Sequence, residues 1–329
     1  MEAQKRLFEV IKSKIPDQYR LADVIEELLN VGTDAAYRRI RGETELSFSQ
    51  LVKICEKFNL SMDEFLNYKS SQGALFSYGP VTLSDQNSFI SNLNTLLERF
   101  TILKSSAEKE FCFSALDIPF YHFAKFPELV FFKQYVWNDT MSRKSVPYNE
   151  FYRDLEKDKI VSIFEKIHNT DMMIPSKEVW TNQTVDTILR LIEHYYEIGA
   201  FESKKTVALL LEQLSGLLDM IKQFADDGYK GGERKTPFNL YLCPVDLEST
   251  FMLIRSEKRM FCTVRLSTVN TISTDNEFIC MRIQKWFDDL VSKSTQISSI
   301  SVKERFRFFQ ASKNKIEELL EKIEKIEKN

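Results

Sequence analysis

The sequence predicts a mainly α-helical protein: a five-helix N-terminal domain, then a helical C-terminal region that holds a small antiparallel β-sheet. Three observations carry this. Gly and Pro number only 9 and 8 among 329 residues, against 26 Phe, which favours long helices over a turn-rich all-β fold. Apolar residues recur at three- and four-residue spacing along most of the chain. Runs with strand composition cluster late, in NLYLCPV, TFMLIRS and RMFCTVRL between positions 239 and 266.

The N-terminal helices follow from local signals. Leu7, Phe8, Ile11 and Ile15 form one apolar face, and Pro16 ends that helix. Leu21, Ile25, Leu28 and Leu29 form a second. Thr33 is placed to cap a third, which stops at Gly42 after Arg41. Ser47 caps a fourth, carrying Leu51, Ile54 and Phe58. Ser61 caps a short fifth, with Glu64 completing a capping box. A polar, Gly/Pro-marked stretch, NYKSSQGALFSYGPVT (67–82), then breaks the chain. The domains expected are 1–70, a linker at 71–83, a helical region at 84–230, an α+β segment at 231–300 and a charged helix at 301–329.

Within the first domain, VGTDAAYRRIRGETELSFSQLVKICEKFNLSMDEFL (31–66) is the most informative segment. In a helix from Thr33 to Arg41, Ala36, Tyr37 and Ile40 share an inward face. Asp34, Arg38 and Arg41 line the opposite face, with Ala35 and Arg39 beside them. A helix that enters the major groove needs small residues early and long donors further on. Ala35 and Ala36 supply the first property, and the three arginines the second.

These residues resemble the phage-repressor and Cro type of helix-turn-helix, the XRE family. The resemblance covers residues 5–67, about a fifth of the chain. It rests on Tyr37-Arg38-Arg39-Ile40 with Gly42 beyond, and on the ending LVKICEKFNLSMDEFL. It implies transcription regulation, double-stranded DNA as partner, and Thr33, Asp34, Ala35, Arg38, Arg39 and Arg41 as the DNA-contacting set. The alternative is a helical protein or peptide-interaction protein whose N-terminal module does not bind DNA. Residues 1–70 carry about as many acids as bases, which predicts modest non-specific affinity. The net charge of −3 likewise announces no polyanion partner.

Further along, EFCFSAL (110–116) reads as a strand, and helices are expected at 119–138, interrupted by Pro127, and then at about 148–168, 176–198 and 203–227. The three late strand-like runs and a helix at 275–292 form the expected small sheet, a sensing or dimerisation element for an effector the sequence does not identify. Leu242, Phe251, Leu253, Phe261 and Val264 supply its apolar face, with Trp286 and Phe287 from the helix. Ile316, Leu319, Ile323 and Ile326 have the 3-4-3 spacing of a coiled-coil seam. That seam suits a homodimer, and the same helix packed on its own domain suits the spacing equally.

Nothing in the sequence indicates catalysis, a cofactor or a metal. His122, His168 and His194 are isolated, and GYKGGERK (228–235) reads as a solvated loop rather than a phosphate-binding one. The aromatic run PFYHFAKFPELVFFKQYVW (119–137) suits either a core helix or a pocket wall. Cys55, Cys112, Cys243, Cys262 and Cys280 lack CxxC spacing and sit in apolar runs, as buried free thiols do in a reducing compartment. No signal peptide is legible, and no apolar run approaches the roughly 18 residues that span a bilayer. A cytoplasmic protein without a membrane partner is the expectation.

Overall fold

The computed structural model describes residues 2–15, 19–58, 60, 62, 65, 74–83, 85–143, 145–257 and 259–325. The chain forms two compact units, Met1–Leu75 and Phe76–Asn329.

The first unit contains α1 (Glu2–Lys14), α2 (Leu21–Leu29), α3 (Thr33–Arg41) and α4 (Phe48–Phe58). Their apolar stripes meet in one core of Leu7, Phe8, Ile11, Ile25, Leu29, Ala36 and Ile54, joined by Leu60 and Phe65. Asn30 ends α2 in the left-handed region, with φ 51°. Gly42 does the same for α3, with φ 77°. Ser47 caps α4 through Oγ, which accepts from the Gln50 N–H at 3.2 Å; Gln50 Oε1 accepts from the Ser47 N–H, also at 3.2 Å. The capping box expected at Ser61 and Glu64 lies outside the described residues.

The second unit corrects the mainly α expectation: it is an α/β structure on a large mixed sheet. Its strands are β1 (Ser77–Tyr78), β2 (Lys109–Ser114), β3 (Ser176–Thr181), β4 (Tyr229–Lys230), β5 (Thr236–Cys243), β6 (Phe251–Ser256), β7 (Met260–Ser267), β8 (Asn270–Thr274) and β9 (Thr295–Gln296). The order is β1-β8-β7-β6-β2-β3-β5-β4, with β9 also on β5. β3 is parallel to both β2 and β5, and the remaining pairs are antiparallel.

The helices are α5 (Gln86–Ser105), α6 (Pro127–Met141), α7 (Tyr148–Arg153), α8 (Lys157–Asp171), α9 (Asp186–Glu197), α10 (Lys204–Asp227), α11 (Glu277–Ser292) and α12 (Val302–Lys325), with a 3-10 turn at Phe120–Lys125. The stretch expected as one helix over 176–198 is therefore a strand, β3, followed by a helix, α9. The strand is buried on both faces, so SKEVWT carries no polar-out alternation to mark it.

The sheet separates two cores. On one face Phe111, Phe113, Trp180, Phe238, Leu240 and Ile254 meet helices α5, α6 and α8–α10 together with α12. On the other, Cys112, Val179, Cys243, Leu253 and Cys262 meet Cys280, Phe287 and Leu290 of α11. The expected sheet residues divide accordingly: Leu242 and Phe261 face the large core, and Phe251, Leu253 and Val264 face α11. Trp286 is half-exposed and stacks on Phe251, with ring centroids 4.9 Å apart. No disulfide joins the five cysteines, and all but Cys55 are buried.

The coiled-coil seam needs a second correction. Ile316, Leu319 and Ile323 are buried against the large core of their own unit, and Ile326 lies outside the described residues. The three are spent within the chain, so a homodimer must take its contact from another surface. Among the described residues no helix is long and apolar enough to cross a membrane.

A buried polar network lies at the centre of the sheet. Glu178 of β3 is fully buried. Its carboxylate accepts from Tyr121 Oη at 3.0 Å, Trp180 Nε1 at 3.0 Å and His122 Nε2 at 2.9 Å. Burial opposes its ionisation, but His122, Lys230 and Tyr121 outweigh burial and hold the carboxyl below its ordinary value. Lys230, expected in a solvated loop, is buried and donates to Asp171 Oδ1 at 2.7 Å. Its loop closes on Gly231 at φ 84°, where a Cβ would stand 2.4 Å from the Met172 carbonyl oxygen.

Two outcomes follow. Ile323→Asp should destabilise folding by a few kcal/mol, since it puts a carboxylate at a site only 2% exposed. Denaturant unfolding should show the loss, and light scattering should show an unchanged oligomeric state. The second concerns His168, whose imidazole burial and then Lys125, His122 and Lys230 push down to about 4 from 6.5. The unfolded chain takes up this proton as pH falls below about 6.5 and the folded chain only near 4, so stability is lost as pH falls through that window. His168→Asn should recover on the order of 2 kcal/mol of the stability difference between pH 7 and 4.5, read by urea unfolding at both.

Candidate nucleic-acid interface

The three residues Asn30, Val31 and Gly32 separate α2 from α3. Gly32, rather than the expected Thr33, is the N-cap residue of α3, with an extended backbone and no side-chain cap. Thr33 is the first helical residue and is exposed. The helix is fixed from beneath by Ala36, which is fully buried, and by Ile40. Tyr37, expected on that inward face, is 41% exposed. It widens the outward surface beyond the arginine stripe.

Asp34, Arg38 and Arg41 share the exposed face, as the helical period requires. Arg38 Nη2 lies 2.8 Å from Asp34 Oδ2, one turn back. Arg41 forms a two-pronged pair with Glu43, Nε to Oε1 at 2.6 Å and Nη2 to Oε2 at 3.0 Å. The Arg41 hydrogen bond holds the Glu43 carboxyl below its ordinary value. Both pairs are more than half exposed.

Arg39 differs. It is half-buried, and its guanidinium donates to the Ala35 carbonyl at 3.0 Å and to Gln50 Oε1 at 3.3 Å. Gln50 belongs to α4, so Arg39 links the two helices. Ala35 is half-buried beside it.

One further residue escaped sequence reasoning. Gln4 of α1 donates from Nε2 to the carbonyls of Arg39 at 2.7 Å and Thr44 at 2.8 Å, and its Oε1 accepts from the Leu46 N–H at 3.0 Å. These bonds tie α1 to the end of α3 and the loop behind it, across more than 30 residues. No local pattern marks such a contact.

The arrangement can present donors to an anion. Among the described residues no group of three or more His, Cys, Asp or Glu side chains is placed to hold a metal. No protein-family model matches the chain, and neither a curated protein nor a solved structure is significantly similar to it.

Gln4→Ala should destabilise the first unit by about 1–3 kcal/mol, because the Thr44 carbonyl and the Leu46 N–H lose the Gln4 amide, while the Arg39 carbonyl keeps the Gly42 N–H. Hydrogen exchange should show the loss as faster exchange at the Leu46 amide, with the second unit unchanged.

Proposed function

We propose that the protein is a sequence-specific, DNA-binding transcriptional regulator of XRE type that acts as a homodimer. In this reading the first unit contacts double-stranded DNA through α3. The second unit serves sensing or oligomerisation, and no catalysis is assigned to either. The observation that carries the reading is the exposed donor stripe of α3, mounted on a compact helical core of its own.

In this reading the arginines take different roles. Arg38 is exposed mid-helix and, among the described residues, is held by a surface pair with Asp34, which suits a base contact. Arg39 is tied to Ala35 and Gln50 and supports the helix. Arg41, at the helix end, suits a phosphate. Thr33 and Ala35 lie at the leading end of the helix, where the backbone N–H groups also favour a phosphate.

A second reading has its own support. Tyr37 is 41% and Phe48 is 74% exposed, and Arg38 and Arg41 are each paired with an acid, as on a protein-binding surface. Salt-dependent retention of the full chain on DNA separates the two, since a protein-binding module shows none.

Selection from a random DNA pool is expected to return a two-fold symmetric site. Arg38→Ala should relax preference at one position of each half-site and cost about 2–6 kcal/mol over a dimer. Arg41→Ala should weaken all sequences alike and flatten the salt slope by about one unit per contact. Unchanged binding by a folded Arg38→Ala protein would remove α3 as the reading helix.

A further inference from the structure

A cavity of about 410 Å³ lies in the second unit between α5 and the strands β6, β7 and β8. Its size is that of a small-molecule site. The floor and one wall are aromatic: Phe100, Phe113, Phe120, Tyr121 and Trp137. The strand side is hydroxyl-lined, including Thr263, Thr271 and Ser273. Ser91 and Thr95 of α5 are exposed and mark the mouth.

The charges in this wall are of one sign. Arg99 and Arg265 line it, and among the described residues no Asp or Glu does. Arg265 has a partner, Asp117, at 3.4 Å, but Asp117 is already held at 2.9 Å by Lys133. One carboxylate thus serves two cations. Arg99 is half-buried and lies over the Phe261 ring, its guanidinium carbon 4.6 Å from the centroid. Among the described residues it has no acidic partner. Burial draws this guanidinium below its ordinary value, the mark of a cation short of both water and counter-charge.

A half-buried arginine without an anion is costly, and a cavity wall is where a ligand can supply one. The aromatic wall offers faces for a flat apolar group, and the hydroxyls offer hydrogen bonds in either direction. We propose that this cavity binds a small organic anion with a flat apolar body, its carboxylate or phosphate on Arg99 and its body against the Phe100 and Trp137 wall. The inference rests on the second unit alone and stands whether or not the first unit binds DNA.

The test uses the full chain and three probes in calorimetric titration: naphthylacetate, naphthyl phosphate, and the neutral naphthylacetamide. At least one anion should bind with a Kd below about 1 mM and at least about tenfold tighter than the amide. Whichever anion binds better identifies the head group. Arg99→Met keeps the stem against Phe261 and removes the charge. It should weaken the anion by about tenfold or more and leave the amide unchanged, while Arg99→Lys retains most of the affinity. Thr95→Trp, at the exposed mouth, should block all three probes, and it keeps the test valid should Arg99→Met fail to fold. Equal binding of anion and amide, an anion indifferent to Arg99→Met or to Thr95→Trp, or no anion bound by the wild type would each overturn the inference.

Discussion

The parallel pairing of β3 with both β2 and β5 is the constraint from which the second unit is built. Parallel neighbours cannot be joined by a tight turn, so each pairing needs a crossover. The first runs from β2 to β3 through the 3-10 turn, α6, α7 and α8. The second runs from β3 to β5 through α9 and α10. These crossover helices pack on one face of the sheet and form the large core. The opposite face is left to α11. The antiparallel strands β6, β7 and β8 then extend the sheet beyond β2 and supply one side of the cavity.

A central strand is also where a charge is hardest to bury, yet β3 carries Glu178. Its alternation puts Ser176, Glu178 and Trp180 on the same face, toward the crossover helices. The carboxylate is satisfied by donors from two directions: Trp180 on its own strand, and Tyr121 and His122 on the 3-10 turn. The network therefore fixes the first crossover against the strand it leads to. Replacing one partner leaves a buried charge short of a hydrogen bond, which costs far more than the net worth of the bond. Tyr121 also lines the cavity, so the same network holds one of its walls in place.

Legibility in the sequence followed the range of the interactions. Helix faces such as Leu7-Phe8-Ile11, the Ser47 cap and the Gly42 stop depend on neighbours within a few residues, and the structure has them where the period puts them. Strands β5, β6 and β7 and the isolated β2 carry β-branched and aromatic residues and were equally legible. SKEVWT was not, because a buried parallel strand has no alternation and the apolar spacing of α9 runs on directly after it. The seam residues Ile316, Leu319 and Ile323 show the limit of a periodic signal. The spacing specifies an apolar stripe on a helix but does not specify whether a partner chain or the protein's own core covers it. At the candidate interface the exposed arginines were legible from helical period. The Gln4 clamp and the Arg39–Gln50 link were not, since both join residues distant in sequence. The charge imbalance in the cavity wall was equally hidden, because Arg99 and Arg265 reach one cavity, and Arg265 and Lys133 reach one carboxylate, only in the folded unit.

The near-neutral first unit bears on the proposed DNA reading through the worth of its ion pairs. Exposed pairs such as Arg38–Asp34 contribute about 0.3–0.5 kcal/mol, and many contribute nothing measurable. A contact to a phosphate releases condensed counterions, and its gain grows as salt is lowered. Exchanging an internal partner for a phosphate therefore costs the protein little. In the proposed complex the acids would remain nearby after the exchange, and their repulsion from the duplex would weaken binding to every sequence alike. In the proposed reading, a base contact from Arg38 would offset this penalty, and only at cognate sites. Under that proposal, a module built in this way would give up non-specific affinity and keep the difference between sites, which is the quantity a sequence-specific regulator needs.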